Sequence, residues 1–348
     1  MAEFAHGGPL GHGVIRRFPE DFRVIELTGY APSGEGEHLW LDIEKRGANT
    51  IDVARDLARL AGVSVRDVGF AGLKDRNAVT VQPFSIHLPG RPDPNWQAWD
   101  DQRIRILAGQ RHNRKIQRGR LAGNRFELLI RDVDGDRAAL EIRLDTIAAE
   151  GVPNGFGEQR FGGNNIARAY RLFRGELRRK PSKSKRGFYL SAARSLIFNQ
   201  VLDRRIRDRT WNHLIEGDVL MLDGTHSTFV ADPSDPDLER RIAELDLHPT
   251  GPLVGEQPGP ATVQAGRIEQ HVIEQHAELA QGLARFRLKT DRRALRMRVL
   301  DLEWNWPADD QLRLTFGLRS GCYATTVLRE LLEYVDGKGE DEAAGSDR

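Results

Sequence analysis

FAGLKDRNAVTVQ, residues 70–82, is the stretch around which the rest of the chain is organised. Apolar residues precede a Leu-Lys-Asp turn, and the alternating run that begins at Ala78 is typical of a strand. The pattern places Lys74 and Asp75 on a connector, where a carboxylate is held by rigid flanks and stays accessible. The Lys74 ammonium would keep a partly buried Asp75 ionised. On spacing alone, a solvated charged turn explains the same residues.

This stretch resembles the G-x-K-D-x-x-A-x-T-x-Q signature of the TruD family of tRNA pseudouridine synthases. Every fixed position of the signature is filled, by Gly72, Lys74, Asp75, Ala78, Thr80 and Gln82. A second block, NGFGEQRFG at residues 154–162, resembles another hallmark of that family. The similarity extends from about Pro19 to Glu330, so it covers most of the chain.

The resemblance implies that the protein isomerises a uridine of tRNA to pseudouridine, with uridine thirteen of the D arm as the expected target. It implies that Asp75 is the nucleophile and that Lys74 assists it. In the family, a basic residue three positions before the proline of a P-E-D-F element faces this aspartate, and here that residue is Arg16. The phenylalanine of the same element, Phe22, would line the uridine pocket, although a core position is its ordinary interpretation.

Three further residues match family elements that surround the base. Asn124 and Phe126 belong to a G-N-x-F element that lies beside the nucleophile in the family. An amide can both donate to and accept from uracil, and a phenyl ring can stack on a base. Tyr323 matches an aromatic residue that flanks the base, and Cys322 precedes it where serine is commoner. The alternative interpretations are a turn residue for Asn124, a core aromatic residue for Phe126 and a residue at a helix start for Tyr323.

Basic residues are concentrated in three runs, although the formal net charge is only +1. The runs cover residues 103–131, 168–186 and 285–298, and each contains a single acidic residue. Such segregation suits a surface that binds a polyanion, although salt-bridged or solvated faces would give the same pattern. We expect tRNA as the partner, and the candidate RNA contacts are Arg114, Lys115, Arg118 and Arg160.

Composition excludes several other classes of protein. The chain has 348 residues, of which 39% are hydrophobic and 30% charged, and no apolar run is long enough to span a membrane. With Cys322 as the only cysteine, no intrachain disulfide can form. His271 and His276 are spaced unsuitably for a zinc site on one helix, so no metal is expected. We expect a monomeric cytoplasmic enzyme that needs no cofactor, because the isomerisation has no redox step.

The element pattern predicts an α+β fold with a mixed or antiparallel sheet. A strand at 38–44 and a helix at 51–61 precede the central stretch, and a basic loop is predicted between paired strands at 104–107 and 126–130. Residues 249–263 are predicted to be a loop. The resemblance implies a catalytic domain from residues 1–150 and 303–348, the latter with a flexible acidic tail. An α+β insertion domain would cover residues 151–302, with tRNA in the cleft between the domains.

Two other functions fit parts of the pattern. A carboxylate-based hydrolase could cleave an N-glycosidic bond, but it needs a second carboxylate to activate water. An RNA-binding module without chemistry would explain the basic runs, but it would not explain an acidic residue kept in a basic cleft.

Overall fold

The computed structural model describes residues 3–99 and 101–337, except for the side chain of Gln159. The tail predicted to be flexible therefore lies outside the described residues from position 338 onwards. In chain order, the first elements are β1 (His12–Ile15), β2 (Phe22–Leu27), β3 (His38–Arg46), α1 (Thr50–Ala61), β4 (Val68–Gly69), β5 (Val79–His87), β6 (Ile104–His112), β7 (Gly123–Ile130), α2 (Arg137–Glu150), β8 (Val152–Pro153), α3 (Glu158–Phe161) and α4 (Asn165–Phe173). There follow α5 (Lys183–Arg207), β9 (Val219–Leu222), β10 (Thr228–Val230), α6 (Leu238–Ala243), β11 (Leu247–Leu253), α7 (Val263–Gln275), α8 (Ala277–Arg285), β12 (Asp291–Ala294), β13 (Arg296–Met297), β14 (Leu300–Ala308), β15 (Gln311–Arg319), α9 (Ala324–Arg329) and β16 (Glu333–Asp336).

These elements fall into two compact units. The first, here called the sheet unit, comprises Leu10–Leu140, Val299–Gly321 and Leu332–Arg348. The second, the helix-rich unit, comprises Met1–Pro9, Glu141–Arg298 and Cys322–Leu331. The domain boundaries expected at residues 151 and 302 stay a prediction.

The sheet unit is built on eight strands in the order β14-β15-β7-β2-β5-β3-β6, with β4 paired to β5. The β2 and β5 strands are parallel, whereas the other neighbouring strands are antiparallel. The helix α1 packs its apolar face on β3 and β5 through residues such as Val53 and Leu57, which are fully buried. The predicted α+β class and mixed sheet are confirmed.

Side-chain alternation explains which residues of β2 and β3 face the interior. Phe22, Val24 and Glu26 share the buried face of β2, because successive side chains of a strand point to opposite sides. Ile43 and Lys45 likewise share the buried face of β3. Each strand therefore carries one charged residue among its apolar inward positions.

The predicted loop between paired strands is wrong. The β6 strand ends at His112 and β7 begins at Gly123, but β2, β5 and β3 lie between them in the sheet. The basic segment therefore connects an edge strand to a central one. Local sequence patterns identify strands, whereas their neighbours are chosen by long-range packing.

The helix-rich unit packs α4, α5, α7 and α8 around a shared apolar core. A four-stranded antiparallel sheet, β10-β9-β11-β12, belongs to the same unit. The loop predicted for residues 249–263 is wrong at its start, because β11 continues to Leu253 despite two prolines and pairs with β12. None of the helices in the described part of the chain is long and apolar enough to cross a lipid bilayer.

Candidate active site

The central stretch forms a loop whose backbone is fixed by buried polar side chains. Gln82 is fully buried on β5, and its amide nitrogen donates to the carbonyl oxygen of Gly72 at 3.1 Å. The Thr50 hydroxyl donates to the Gln82 side-chain oxygen at 2.9 Å and accepts from the backbone N–H of Lys74 at 3.0 Å. Because each buried polar group has a partner, these bonds hold the loop in one conformation.

A buried ammonium group holds the next residue of the loop. Lys45 is completely buried on β3, and its Nζ donates to the carbonyl oxygens of Ala48 and Asp75, both at 2.8 Å. Burial lowers the pKa of Lys45 to about 8; the negative charge of Asp75 opposes this shift and the positive charge of Lys74 adds to it. The backbone at Asp75 is thus anchored by Lys45.

The Asp75 carboxylate faces the guanidinium group of Arg16. Their nearest oxygen and nitrogen atoms are 3.7 Å apart, and the Asp75 side chain is 42% exposed. The same guanidinium binds Asp336 of β16 at 2.8 Å and lies 4.1 Å from the centre of the Phe22 ring. The carboxylate is therefore both open to solvent and adjacent to a fixed positive charge.

Arg16 adopts an unusual backbone conformation that aims its side chain. Its φ angle is +54°, in the left-handed region that non-glycine residues rarely occupy. Only about 11% of its side chain is exposed. Strained backbone of this kind is retained where the surroundings enforce it, and it is concentrated at functional sites.

Lys74 points towards the sheet rather than towards solvent. Its Nζ lies 2.8 Å from the Glu26 carboxylate and donates to the side-chain oxygen of Asn124. Glu26 on β2 and Asn124 on β7 are cross-strand partners, so the ammonium joins two neighbouring strands. A side chain at Gly72 would place its Cβ only 2.6 Å from the Glu26 carboxylate, which accounts for the glycine.

The two phenylalanines expected to receive the base are mostly buried. Phe22 is 4% and Phe126 is 6% exposed, and their rings meet edge to face with centroids 6.3 Å apart. Phe126 also stacks on Phe316 at 5.4 Å. Both rings therefore belong to the sheet core beneath Arg16, and their contact with a base stays a prediction.

The second hallmark block forms a cluster of its own in the helix-rich unit. The backbone of Phe156 is held at both its N–H and its carbonyl by the Asn199 amide, with each bond 2.9 Å long. The Arg293 guanidinium lies 4.3 Å from the Phe156 ring centre and donates to Asn154, and burial lowers its pKa. Arg160 lies 5.2 Å from the same ring and donates to the Ser191 hydroxyl at 3.1 Å.

Tyr323 belongs to this helix-rich unit as well. It is the residue before α9, and 40% of its surface is exposed. Of the expected site residues, Arg16, Phe22, Lys74, Asp75, Asn124 and Phe126 are brought together in the sheet unit.

The candidate RNA contacts on the basic loop differ in their surroundings. Arg118 lies 3.6 Å from the centre of the Phe70 ring, and burial lowers its pKa. The ammonium of Lys115 donates to the carbonyl oxygen of Arg66. Arg114 is exposed on the same loop. Their contact with RNA stays a prediction.

Comparison with known proteins decides the family. A family model described as tRNA pseudouridine synthase D (TruD) matches residues 1–172 and 164–331. The chain belongs to the TruD family. The tRNA pseudouridine synthase D of Methylococcus capsulatus is 48% identical over 332 residues, which cover 95% of this chain and 94% of the relative. The protein of the same name from Hydrogenovibrio crunogenus is 45% identical, and 95% of each chain is covered.

A solved structure shows the same fold. The putative tRNA pseudouridine synthase D from Methanosarcina mazei superposes with a TM-score of 0.77 over 97% of each chain, at 22% sequence identity. The resemblance inferred from the two motifs is confirmed at the level of the family by the family model and by the two relatives.

Sequence reasoning missed Glu26, Lys45 and Thr50 of this TruD-family site. The first two carried a usable signal, because each is a charged residue in phase with the apolar positions of its strand. Thr50 directly precedes the predicted helix at 51–61, and nothing in its neighbours indicates a bond to the distant Gln82.

We expect Lys45 to give the enzyme an alkaline limit. As pH rises through about 8, the Lys45 ammonium loses its proton. Its hydrogen bond to the Asp75 carbonyl oxygen then weakens, and its positive charge near the Asp75 carboxylate is lost. In wild type, kcat/KM should therefore fall with an apparent pKa near 8. The Lys45→Met variant should be about tenfold less active at pH 7 and should lack this limb. If kcat/KM falls with the same midpoint in both proteins, an ionisation of the RNA causes the fall and the assignment to Lys45 is wrong.

Denaturation provides a readout for Lys45 that does not depend on activity. Its folded pKa is about 8, below the ordinary value of 10.5, so the unfolded chain binds more protons between these values. Wild type should consequently gain stability relative to Lys45→Met as pH rises from 8 to 10.5. Urea midpoints of the two proteins at pH 7 and pH 10 measure this difference.

Proposed function

We propose that this protein isomerises uridine to pseudouridine in tRNA, with Asp75 as the nucleophile. The observation that carries the proposal is the Asp75 carboxylate, half exposed on a rigid loop and facing the Arg16 guanidinium at 3.7 Å. Membership of the TruD family and the names of its relatives support the reaction. Uridine thirteen of the D arm is the proposed target.

The reaction requires one bond to be exchanged for another. The bond between uracil N1 and the ribose anomeric carbon breaks, the detached base turns, and carbon five bonds to the same ribose carbon. Carbon five then loses its proton and N1 gains one, so no oxidant or reductant is consumed. Asp75 attacks either the anomeric carbon or the uracil ring as a carboxylate. Arg16 orients the carboxylate through the charge of its guanidinium group, 3.7 Å away.

The Lys74 contact determines which hydrogen-bonding group Asn124 presents. An ammonium group has only hydrogen-bond donors, so Lys74 binds the amide oxygen of Asn124. The NH₂ group of Asn124 can then donate to another group. We infer that this NH₂ group donates to a carbonyl of the uracil. Lys74 therefore acts as a positioning residue for Asn124. The target base must also leave its stack in the RNA to reach the site.

A hydrolase remains the second candidate because Arg16 is shared by two carboxylates. Asp336 binds one of its nitrogens at 2.8 Å while Asp75 faces another. A pair of carboxylates beside one site is what glycosidic hydrolysis requires. Glu26 is a poor candidate for this role, because its side chain is fully buried against Lys74.

One assay separates the candidate functions. A tRNA transcript labelled with tritium at carbon five of uridine is incubated with the enzyme, and both released tritium and free uracil are measured. We expect tritium in water in proportion to pseudouridine, without free uracil. Free uracil would indicate hydrolysis, and binding without either product would indicate an RNA-binding module. The monomeric state and the cytoplasmic location stay predictions.

A further inference from the structure

A basic cavity lies in the helix-rich unit, apart from the residues described above. Its volume is about 400 Å³, and it is formed by the end of α4, the segment that follows it and the first turns of α5. Five of its lining residues carry a positive charge, and a tyrosine ring contributes to its wall. These residues are Arg168, Arg171, Arg179, Lys180, Lys185 and Tyr189.

The charge of this cavity is not neutralised by the part of the chain that the structure describes. No aspartate or glutamate lines it, and the only acidic residue of the run, Glu176, is not among its walls. By contrast, the nearby Arg174 is bound to Glu278 by two bonds of 2.5 and 2.7 Å. In the basic run at residues 168–186, Arg174 is therefore neutralised, whereas five other cations line the cavity.

Two features of the cavity favour a negatively charged ligand. The N-terminus of α5 borders it; the Ser182 hydroxyl already accepts from the N–H of Lys185, and the positive end of the dipole of this 25-residue helix attracts anions. Arg168 is held in place, because its guanidinium donates to the Tyr189 hydroxyl at 3.0 Å. A fixed arginine, a helix start and four exposed cations together suit phosphate oxygens.

We propose that this cavity binds two neighbouring phosphates of the tRNA backbone, as a contact separate from the reacting uridine. The proposal rests on the proposed function for the identity of the RNA. Arg171, Arg179, Lys180 and Lys185 are exposed and long, which suits a backbone of variable geometry. A small polyphosphate would instead call for buried, convergent donors around a closed site.

The test removes two of the exposed cations in an Arg171→Ala/Lys185→Ala double variant. Binding of an unmodified tRNA transcript is measured between 50 and 300 mM salt. The slope of log affinity against log salt should decrease by about 2, one unit for each lost phosphate contact. Affinity at 0.15 M salt should fall about 10- to 40-fold. KM in the tritium assay should rise to a similar extent, whereas kcat at saturating tRNA should remain that of wild type.

A matched control changes the net charge by the same amount elsewhere in the unit. Arg204 is bound to Asp208 at 2.6 Å, and Arg240 to Glu244 at 2.8 Å, and both lie outside the three basic runs. The Arg204→Ala/Arg240→Ala double variant should keep the wild-type slope and KM. If both double variants weaken binding equally, the effect is one of net charge and the cavity proposal fails.

The remaining outcomes separate this proposal from the proposed function. A wild-type slope and KM in Arg171→Ala/Lys185→Ala, with normal tritium release, would overturn the cavity proposal and leave the isomerase intact. Absence of tritium release from wild type would overturn the isomerase, while the binding curves would still decide the cavity. Calorimetric titration with inorganic pyrophosphate should give millimolar or weaker binding. Micromolar binding lost in the double variant would instead assign the cavity to a small polyphosphate.

Discussion

Asp75→Asn is expected to abolish tritium release while tRNA binding persists. The amide has nearly the same shape as the carboxylate, but it carries no charge and is a poor nucleophile. Loss of a nucleophile commonly reduces kcat by a factor of ~10⁴ or more. Binding should stay within about threefold of wild type, because the phosphate contacts provide most of the affinity. Single-turnover tritium release and filter binding on the same transcript measure the two quantities.

A matched aspartate serves as the control for this substitution. Asp52 on α1 is 44% exposed and lies 2.9 Å from Arg55, so it resembles Asp75 in exposure and in having an arginine partner. The Asp52→Asn variant should keep wild-type turnover. Normal turnover by Asp75→Asn would show that another group performs the attack, and equal losses in both variants would point to a general loss of structure.

Lys74→Met is expected to have the largest effect on stability. Glu26 is fully buried and its counterion is Lys74, so this substitution leaves a carboxylate without a partner in the sheet. Breaking a buried ion pair from one side costs about 3–5 kcal/mol. The urea midpoint should fall accordingly, and turnover should fall too because Asn124 loses the group that orients it.

A second substitution separates the two effects. In the Glu26→Gln/Lys74→Met double variant no charge is left unpaired, so most of the lost stability should return while turnover stays low. An exposed pair provides the comparison: Arg55→Met should change stability by less than about 1 kcal/mol. If the double variant is no more stable than Lys74→Met, the buried charge is not the cause. If its turnover recovers, the orientation of Asn124 by Lys74 is unnecessary.

The local elements of this fold were accessible from the sequence, whereas the neighbours in the sheet were not. The spacing of apolar residues predicted a helix at 51–61, and α1 occupies Thr50–Ala61. The same reasoning placed the basic loop between paired strands, but β6 and β7 lie at different positions in the sheet. Pairing depends on contacts between residues far apart in the chain, and periodicity carries no information about them.

Part of the candidate site could likewise be predicted from the sequence, and part could not. The motif identified the loop that carries Asp75, because a turn between two apolar segments is a local feature. The charged residues beneath the loop were missed, although Glu26 and Lys45 interrupt the apolar faces of β2 and β3. A charge at such a position requires a buried partner, and the structure supplies Lys74 for Glu26 and the Asp75 carbonyl for Lys45.

The pairing of β1 with β16 has a consequence for the nascent protein. These strands are parallel, and Arg16 directly follows β1 while Asp336, its partner, ends β16. The pairing therefore joins segments that are about 320 residues apart in the chain, and β1 is synthesised long before β16. A translation intermediate that lacks β16 already contains Asp75, the Val14–Arg131 bridge and the Phe22 ring beneath Arg16, but it lacks Asp336. The Arg16 guanidinium is therefore shared between Asp75 and Asp336 only after β16 has been synthesised.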